Sequence, residues 1–420
     1  MFSRTKANGL NGLTLLKIRN LTTTSRCLLA PPSPTAGAAS QQSFQIKLKT
    51  SVLPPDPNFL SSTIMKDNLE KKESTFEKAY KATEARHDWT KEELREIYHT
   101  PLMELIHRAQ IFHRRFQNPS EVQICNLLSI KTGGCSEDCK YCAQSSRYDT
   151  DVNAEKMLSI EQVLEAAKEA KANGATRFCM GAAWREMKGR KSALKRIAQM
   201  VSEVDKMGLE TCVTLGMVNL EQAKQLKEAG LTAYNHNIDT SREHYPKVIS
   251  TRTYDDRLET IRHVQESGIS ACTGGILGLG ETEEDHISFL YTLSTMEKHP
   301  ESLPINRLVP IKGTPMSADL EKSGKKLQFE SILRTIATAR LAMPDSIIRL
   351  AAGRYTMKET EQFLCFMAGC NAIFSGKKML TTMCNGWEED QQMLAKWGLK
   401  PMKAFTKHQS KSFLHQHAEI

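Results

Sequence analysis

The run Gly133-Gly-Cys135-Ser-Glu-Asp-Cys139-Lys-Tyr-Cys142 carries the strongest chemical signal in the chain. Its spacing is Cys-x3-Cys-x2-Cys, with an aromatic residue just before the last cysteine. Three thiolates set this closely hold three irons of a [4Fe-4S] cube and leave the fourth iron without a protein ligand. An open iron can take up a small molecule, which turns an electron-transfer centre into a catalytic one. Ferredoxin spacings supply four cysteines and structural zinc sites prefer paired Cys-x2-Cys arms, so neither describes this run. The plain alternative is three unrelated loop cysteines, and the tight spacing argues against it.

Such a loop needs a frame. From about 123 to 376 a short apolar or β-branched run alternates with a longer helical pattern. The runs are Gln123–Lys131, Thr176–Gly181, Glu210–Gly216, Ala233–Asp239, Ser270–Leu277, Pro304–Ile311, Ser346–Ala351 and Asn371–Phe374. Helix starts are marked by Ser159-Ile-Glu-Gln162, Asn219-Leu-Glu-Gln222 and Thr253-Tyr-Asp-Asp256, each a capping residue with an acid or amide three places on. Helix ends are marked by Gly174, Gly208, Gly230 and Gly268. Alternation of this kind implies a parallel sheet. Eight units predict an α/β fold, a closed (β/α)8 TIM-type barrel with an N-terminal helical lead-in; an open doubly wound sheet is the alternative. Barrel chemistry sits at the carboxyl ends of the strands, and the Cys135–Cys142 loop follows the first of them.

Alternate strand residues share a face. That rule puts Arg177 with Cys179, and Asn235 with Asn237 and Asp239, while Cys212, Cys272 and Arg349 stand on strands three, five and seven. Each alone has an ordinary explanation, as a buried cysteine or a structural ion pair. A barrel covers both faces of its strands, so these polar residues point inward and need partners. Cys179, Cys212, Cys272 and Arg349 can then meet in one interior layer, and soft thiolates suit iron–sulfur chemistry. The pattern leaves a second metal site and simple packing equally open. Cys125 shares a strand face with Leu127, Ser129 and Lys131 and lies deeper, towards Cys179 and Cys212. It is either a packed apolar cysteine or a thiol that tunes a second metal group. The glycines of Gly274-Gly-Ile276-Leu-Gly278 permit close approach to a ligand, without the spacing of a dinucleotide fingerprint.

The 420 residues are 40% hydrophobic and 25% charged, the composition of a soluble globular protein, with no apolar run long enough to span a membrane. Of the net charge of +9, seven positive charges fall in residues 1–55, which contain no acid. The near-neutral remainder offers no footprint for a nucleic-acid backbone. Basic, acid-free and rich in Ser, Thr and Leu, residues 1–50 read as a mitochondrial transit peptide and linker, which places the protein in the matrix. Residues 51–88 read as a flexible or helical lead-in, 89–400 as the barrel domain, and 401–420 as a disordered tail. Eleven cysteines without a secretory signal point to metal ligation or burial rather than disulfides.

Several separated motifs resemble those of the biotin synthase family of radical S-adenosylmethionine enzymes, in the same order, over roughly residues 86–400. They include Leu127–Cys135, Thr176–Trp184, Tyr234–Thr240, Gly274–Glu281, Pro304–Asn306, Lys312–Pro315, Arg349–Arg354 and Cys365–Gly369. The resemblance implies insertion of sulfur into dethiobiotin to give biotin. It implies that Cys135, Cys139 and Cys142 hold a [4Fe-4S] cluster whose free iron binds S-adenosylmethionine, cleaved to methionine and a 5′-deoxyadenosyl radical. It implies that Cys179, Cys212, Cys272 and Arg349 hold a sulfur-donating [2Fe-2S] cluster. Asn237 and Asp239 match contacts to the cofactor ribose; Tyr141, through its backbone, Ile276 and Val309 match the adenine environment. Asn235, Asn237 and Asn306 match dethiobiotin contacts. A ferredoxin-type electron donor, iron–sulfur assembly machinery and a homodimer are implied as partners. Ser136, Ala143, Ala351, Cys370 and Thr382-Met-Cys384 depart from the family pattern without removing a ligand. A lipoyl synthase would carry further cluster motifs, which are missing, and an iron–sulfur carrier needs neither an open iron nor a barrel.

Overall fold

The structure is a computed structural model and describes residues 74–82 and 84–405. The basic segment 1–50, the lead-in as far as residue 73 and the tail from residue 406 lie outside these residues.

Among the described residues three helices precede the barrel: α1 (Thr75–Lys81), α2 (Lys91–Tyr98) and α3 (Leu102–Phe116). The first two open on capping boxes, Ser74 with Glu77 and Thr90 with Glu93. Their buried residues Leu94, Tyr98, Leu105 and Phe112 join a core that also holds Ile336 and Leu341 of a later helix. Trp89 Nε1 donates to Ala342 O at 3.1 Å, which ties the lead-in to the barrel wall.

The barrel strands are β1 (Glu121–Lys131), β2 (Arg177–Ala182), β3 (Glu210–Thr214), β4 (Ala233–Asn235), β5 (Ser270–Cys272), β6 (Gly275–Leu277), β7 (Ser302–Arg307), β8 (Ile347–Leu350) and β9 (Ala372–Phe374). All pair in parallel, β5 and β6 both pair with β7, and β1 pairs with both β2 and β9, so the sheet closes on itself. Helices α4 (Ile160–Ala172), α5 (Lys191–Lys206), α6 (Leu220–Glu228), α7 (Tyr245–Val248), α8 (Tyr254–Glu266), α9 (Glu283–Ser294), α10 (Pro315–Ser323), α11 (Phe329–Ala342) and α12 (Glu359–Met367) lie between them. Ser159, Asn219 and Thr253 cap α4, α6 and α8 as their spacing predicts. Among the described residues no helix is long and apolar enough to cross a membrane.

Two apolar layers between strands and helices hold the fold. One packs Val163, Ile197 and Met200 on Phe178 and Val213; the other packs Ile287, Leu290 and Ile336 on Leu303 and Ile348. After β9 come a short hairpin, β10 (Lys378–Met379) and β11 (Thr382–Met383), then α13 (Trp387–Lys396) and β12 (Lys400–Pro401). The last of these pairs with the start of β1.

Three expected strands differ, the run Pro304–Ile311 by spanning Ser302–Arg307 instead. The run Ser270–Leu277 is two segments, β5 and β6, broken at Thr273-Gly274. Pro304 on the neighbouring β7 has no N–H to offer the ladder, and the Gly274 backbone presses against its carbonyl, where a Cβ would collide. The run Ala233–Asp239 leaves the ladder after Asn235 and returns only as a single bridge to Gly275 from Asp239, which has a left-handed φ of +66°.

Candidate active site

The cysteine loop leaves the carboxyl end of β1 at Gly133, whose φ of +67° brings its backbone against Asn153 O, 2.6 Å from where a Cβ would stand. The loop is held by its own backbone: Cys135 N donates to Gln144 O and Ser146 N to Cys135 O, at 2.9 and 2.7 Å. It is also clamped to the segment before α8. Lys140 N donates to Val248 O, and Asp138 accepts from the backbone N–H of Ser250 and Thr251 at 2.9 and 3.1 Å. Burial alone would raise the Asp138 carboxyl, but these bonds and the Ser250 hydroxyl hold it at about 2, so it is an acceptor at neutral pH.

Cys135, Cys139 and Cys142 all face one cavity at the barrel mouth. Burial pushes all three thiols upward, Cys142 to about 11, so the bare chain keeps them protonated. A bound iron–sulfur cluster would supply the charge that draws those protons off. Among the described residues no three His, Cys, Asp or Glu side chains converge on a single ion. A cube asks for something else, since each of its thiolates holds a different iron. Three soft, free thiols lining the same cavity fit that demand.

The same cavity runs down the barrel to Cys179, Cys212 and Cys272. Cys179 and Cys212 stand opposite each other on β2 and β3, and Cys272 is registered with Asn235 across β4 and β5. The thiols pack together in one buried cluster, and the neighbouring Cys179 and Cys272 groups draw Cys212 below the usual thiol range. Arg349 does not line the cavity. It lies behind the thiols, with Nη1 donating to Cys272 Sγ at 3.4 Å and its guanidinium 5.1 Å from the Phe374 ring centre. Cys125 lies in the same fully buried layer, packed with Cys179, Cys212, Cys272 and Ala233.

Between the two thiol sets sit the predicted amides and acid. Asn235 Nδ2 donates to Asn237 Oδ1 at 3.2 Å and to Cys272 O at 3.1 Å; Asn237 Oδ1 also accepts from Gly274 N at 3.2 Å. Asn306 is held by Gly275 O and Ala352 N, at 2.8 and 3.0 Å. Asp239, Tyr141, Ile276 and Val309 complete the upper wall. The sequence reading missed Arg257, whose Nη2 meets Asp239 Oδ2 at 2.5 Å while Nη1 donates to Asn237 O at 2.7 Å. Its only signal is a basic residue one position past the capping box of α8. It also missed Gln123, which lies under the thiols. Gln123 Oε1 accepts from Arg349 Nη2 at 2.5 Å, and Nε2 donates to Glu210 at 3.3 Å. Glu210 pairs with Arg177 at 2.8 Å, and Arg177 with Glu301 at 2.8 Å, so a buried polar chain fills the barrel floor. The third omission is the β10–β11 hairpin, whose Met379, Leu380 and Thr382 close one side of the mouth.

A closed parallel barrel with a three-thiol loop at its mouth defines a radical S-adenosylmethionine enzyme: residues 129–290 match the Radical SAM superfamily, and residues 304–400 the Biotin and Thiamin Synthesis associated domain. Membership of that superfamily implies S-adenosylmethionine and a [4Fe-4S] cluster. Biotin synthase, mitochondrial, of Saccharomyces cerevisiae is 73% identical over 323 residues, covering 77% of this chain and 86% of the relative. Biotin synthase, mitochondrial, of Arabidopsis thaliana is 54% identical over 317 residues, 75% of this chain and 82% of the relative. The chain belongs to the biotin synthase family. Two solved structures share the fold at low identity. Methylornithine synthase is 19% identical with a TM-score of 0.64, over 79% of this chain and 98% of that one. A maturase of the [FeFe]-hydrogenase is 18% identical with a TM-score of 0.67, over 83% and 80%.

Proposed function

We infer that the chain converts dethiobiotin to biotin by radical insertion of sulfur. One observation carries this reading: a single cavity has Cys135, Cys139 and Cys142 at its mouth and Cys179, Cys212 and Cys272 at its base, so a molecule between them faces both sets. Cys135, Cys139 and Cys142 hold the [4Fe-4S] cluster; Cys179, Cys212, Cys272 and Arg349 hold a [2Fe-2S] cluster. When bound, the first supplies an electron that cleaves S-adenosylmethionine to a hydrogen-abstracting radical, and the second supplies sulfide.

The chain's own residues bind, orient and exclude. Asp239, fixed by Arg257, offers its remaining acceptor sites to the ribose hydroxyls with Asn237. Tyr141, Ile276 and Val309 enclose the adenine. Asn235, Asn237 and Asn306, each already anchored by a neighbour, present amide groups to the ureido ring of dethiobiotin. A primary carbon radical attacks most C–H bonds, so the hairpin at the mouth and the filled floor serve to keep the chamber closed. Residues 89–400 form the catalytic domain. Its electron comes from a ferredoxin-type protein, iron–sulfur assembly machinery loads the clusters, and the working form is a homodimer. The mitochondrial relatives and the acid-free segment 1–50 support a matrix location.

The test is anaerobic turnover of the reconstituted chain with dethiobiotin, S-adenosylmethionine and dithionite, with biotin measured by mass. Methionine and 5′-deoxyadenosine without biotin would refute the substrate assignment.

A further inference from the structure

The cysteine loop has two faces. Its thiols look into the cavity, and its backbone looks outward, where Ser136, Ser146 and Arg147 are exposed. A cluster held by Cys135, Cys139 and Cys142 would therefore lie one layer of backbone from solvent on this side. On the reading above, the cavity itself is filled by S-adenosylmethionine and dethiobiotin, and the polar chain from Gln123 to Glu301 plugs the barrel floor. The outer face of the loop is the short way in for an electron. That face is basic. Lys140, at its centre, is tied to α7 and α10: its N–H donates to Val248 O and its carbonyl accepts from Met316 N, each at 3.0 Å. These bonds set the exposed Lys247 of α7 on one side and the exposed Lys312, just before α10, on the other. Arg147 folds back over the loop, its Nε donating to Ser136 O at 3.1 Å. Among the described residues none of the four is ion-paired, whereas Arg242, ahead of α7, is paired with Asp255. Within residues 136–149, 246–250 and 311–316, Glu137 is buried, Asp138 is bound to Ser250 and Thr251, and Asp149 is the exposed acid. The half-buried Tyr148 and the exposed Pro246 add apolar surface beside the cations.

We propose that this face is the docking surface for an acidic ferredoxin-type protein, which passes its electron through the loop to the [4Fe-4S] centre. The inference rests on the electron-donor reading above and adds where the donor binds and by what force. The step is a bare electron transfer: the carrier is oxidised by one electron, the cluster is reduced by one, and no bond or proton moves. Opposite charge across such a surface speeds encounter and fixes orientation, and salt weakens it. A nucleic acid would ask for a longer basic track than four cations set around one loop.

The test uses the full chain loaded with its clusters and an acidic [2Fe-2S] ferredoxin kept reduced by its NADPH-dependent reductase. Dithionite serves as the small reductant that needs no docking. Lys247→Glu with Lys312→Glu is expected to lower ferredoxin-driven release of 5′-deoxyadenosine about tenfold and to leave the dithionite-driven rate within about twofold of the parent. Lys195→Glu with Lys224→Glu, at exposed positions of α5 and α6, makes the same change of net charge elsewhere and should leave both rates as they are. Equal loss in the two double variants, or no loss in the first, overturns the proposal. Binding gives a second reading that does not depend on turnover. The oxidised ferredoxin should bind the parent about tenfold more tightly than it binds Lys247→Glu with Lys312→Glu, and about tenfold more tightly at about 20 mM than at about 300 mM salt. Equal binding by parent and variant, or binding indifferent to salt, overturns the proposal. If the ferredoxin fails to drive the parent chain while dithionite succeeds, the electron-donor reading itself fails.

Discussion

At the residue scale, if the two thiol sets answer to different parts of the reaction as proposed, their loss should separate. Cys135→Ala, Cys139→Ala and Cys142→Ala each remove one of the three proposed protein ligands to the cube. Each is expected to lower release of 5′-deoxyadenosine by more than about a hundredfold, since even outer-shell ligand partners are worth 10–100-fold. Cys179→Ala and Cys212→Ala leave the mouth intact. They should still cleave S-adenosylmethionine while forming no biotin. Product analysis by mass decides both, and normal biotin from either Cys179 or Cys212 variant contradicts the donor role. The cysteines were legible in the sequence because spacing and strand parity are local properties. Arg257 and Gln123 were not. Each acts through partners distant in sequence, Asp239 and Asn237 or Arg349 and Glu210, and a single helical arginine or strand glutamine carries no mark of which partners it will meet.

At the element scale, the eightfold alternation and the helix caps were readable, and the break in the fifth strand was not. Both Gly274 and Pro304 stand in the sequence, but only the register of β6 on β7 shows that one backbone must press on the other. Gly274→Ala sets a methyl against the Pro304 carbonyl with no flexible side chain to give way. A loss of about 2 kcal/mol or more is expected, seen as a lower thermal midpoint. Gly386→Ala is the control. Gly386 caps α13 with an ordinary φ of −64°, and its added methyl meets nothing within 4 Å. It should cost about 0.5–1 kcal/mol, because alanine is a poorer N-cap than glycine, and so less than the Gly274 variant. A Gly274→Ala midpoint equal to that of the control would show that the two strands can part without loss.

At the scale of the whole molecule, the shell is built for neutral pH. His113 on α3 is buried with neither ring nitrogen hydrogen-bonded, and burial, helped by the nearby Arg340 charge, lowers it to about 3. Burial likewise lowers His299, to about 4. In the unfolded chain both take up protons near pH 6.5, so stability should fall as pH drops below 6.5 and level off only below the folded values. The slope approaches about 1.4 kcal/mol per pH unit for each histidine. His113→Leu removes one of them. Relative to the parent it should gain about 1.4 kcal/mol between pH 7.5 and 5.5, read from denaturant midpoints of the cluster-free chain. A parallel pH profile would mean that His113 is protonated in the folded state. The terminal segment makes a separate prediction. Deleting residues 1–50 should leave the purified enzyme active and abolish mitochondrial import, and import of the shortened chain would refute the address.

The polar chain from Arg349 through Gln123, Glu210 and Arg177 to Glu301 stops the barrel at its base, with Phe405 N capping Glu210 at 2.9 Å from below. Freight for the deep chamber must therefore travel the corridor that substrate uses. On the proposed donor-site reading, iron and sulfide bound for Cys179, Cys212 and Cys272 would pass the place where dethiobiotin rests. Resupply and turnover then exclude each other in time: a chamber that still holds biotin is a blocked loading bay, and departure of the product opens the next cycle as well as closing the last.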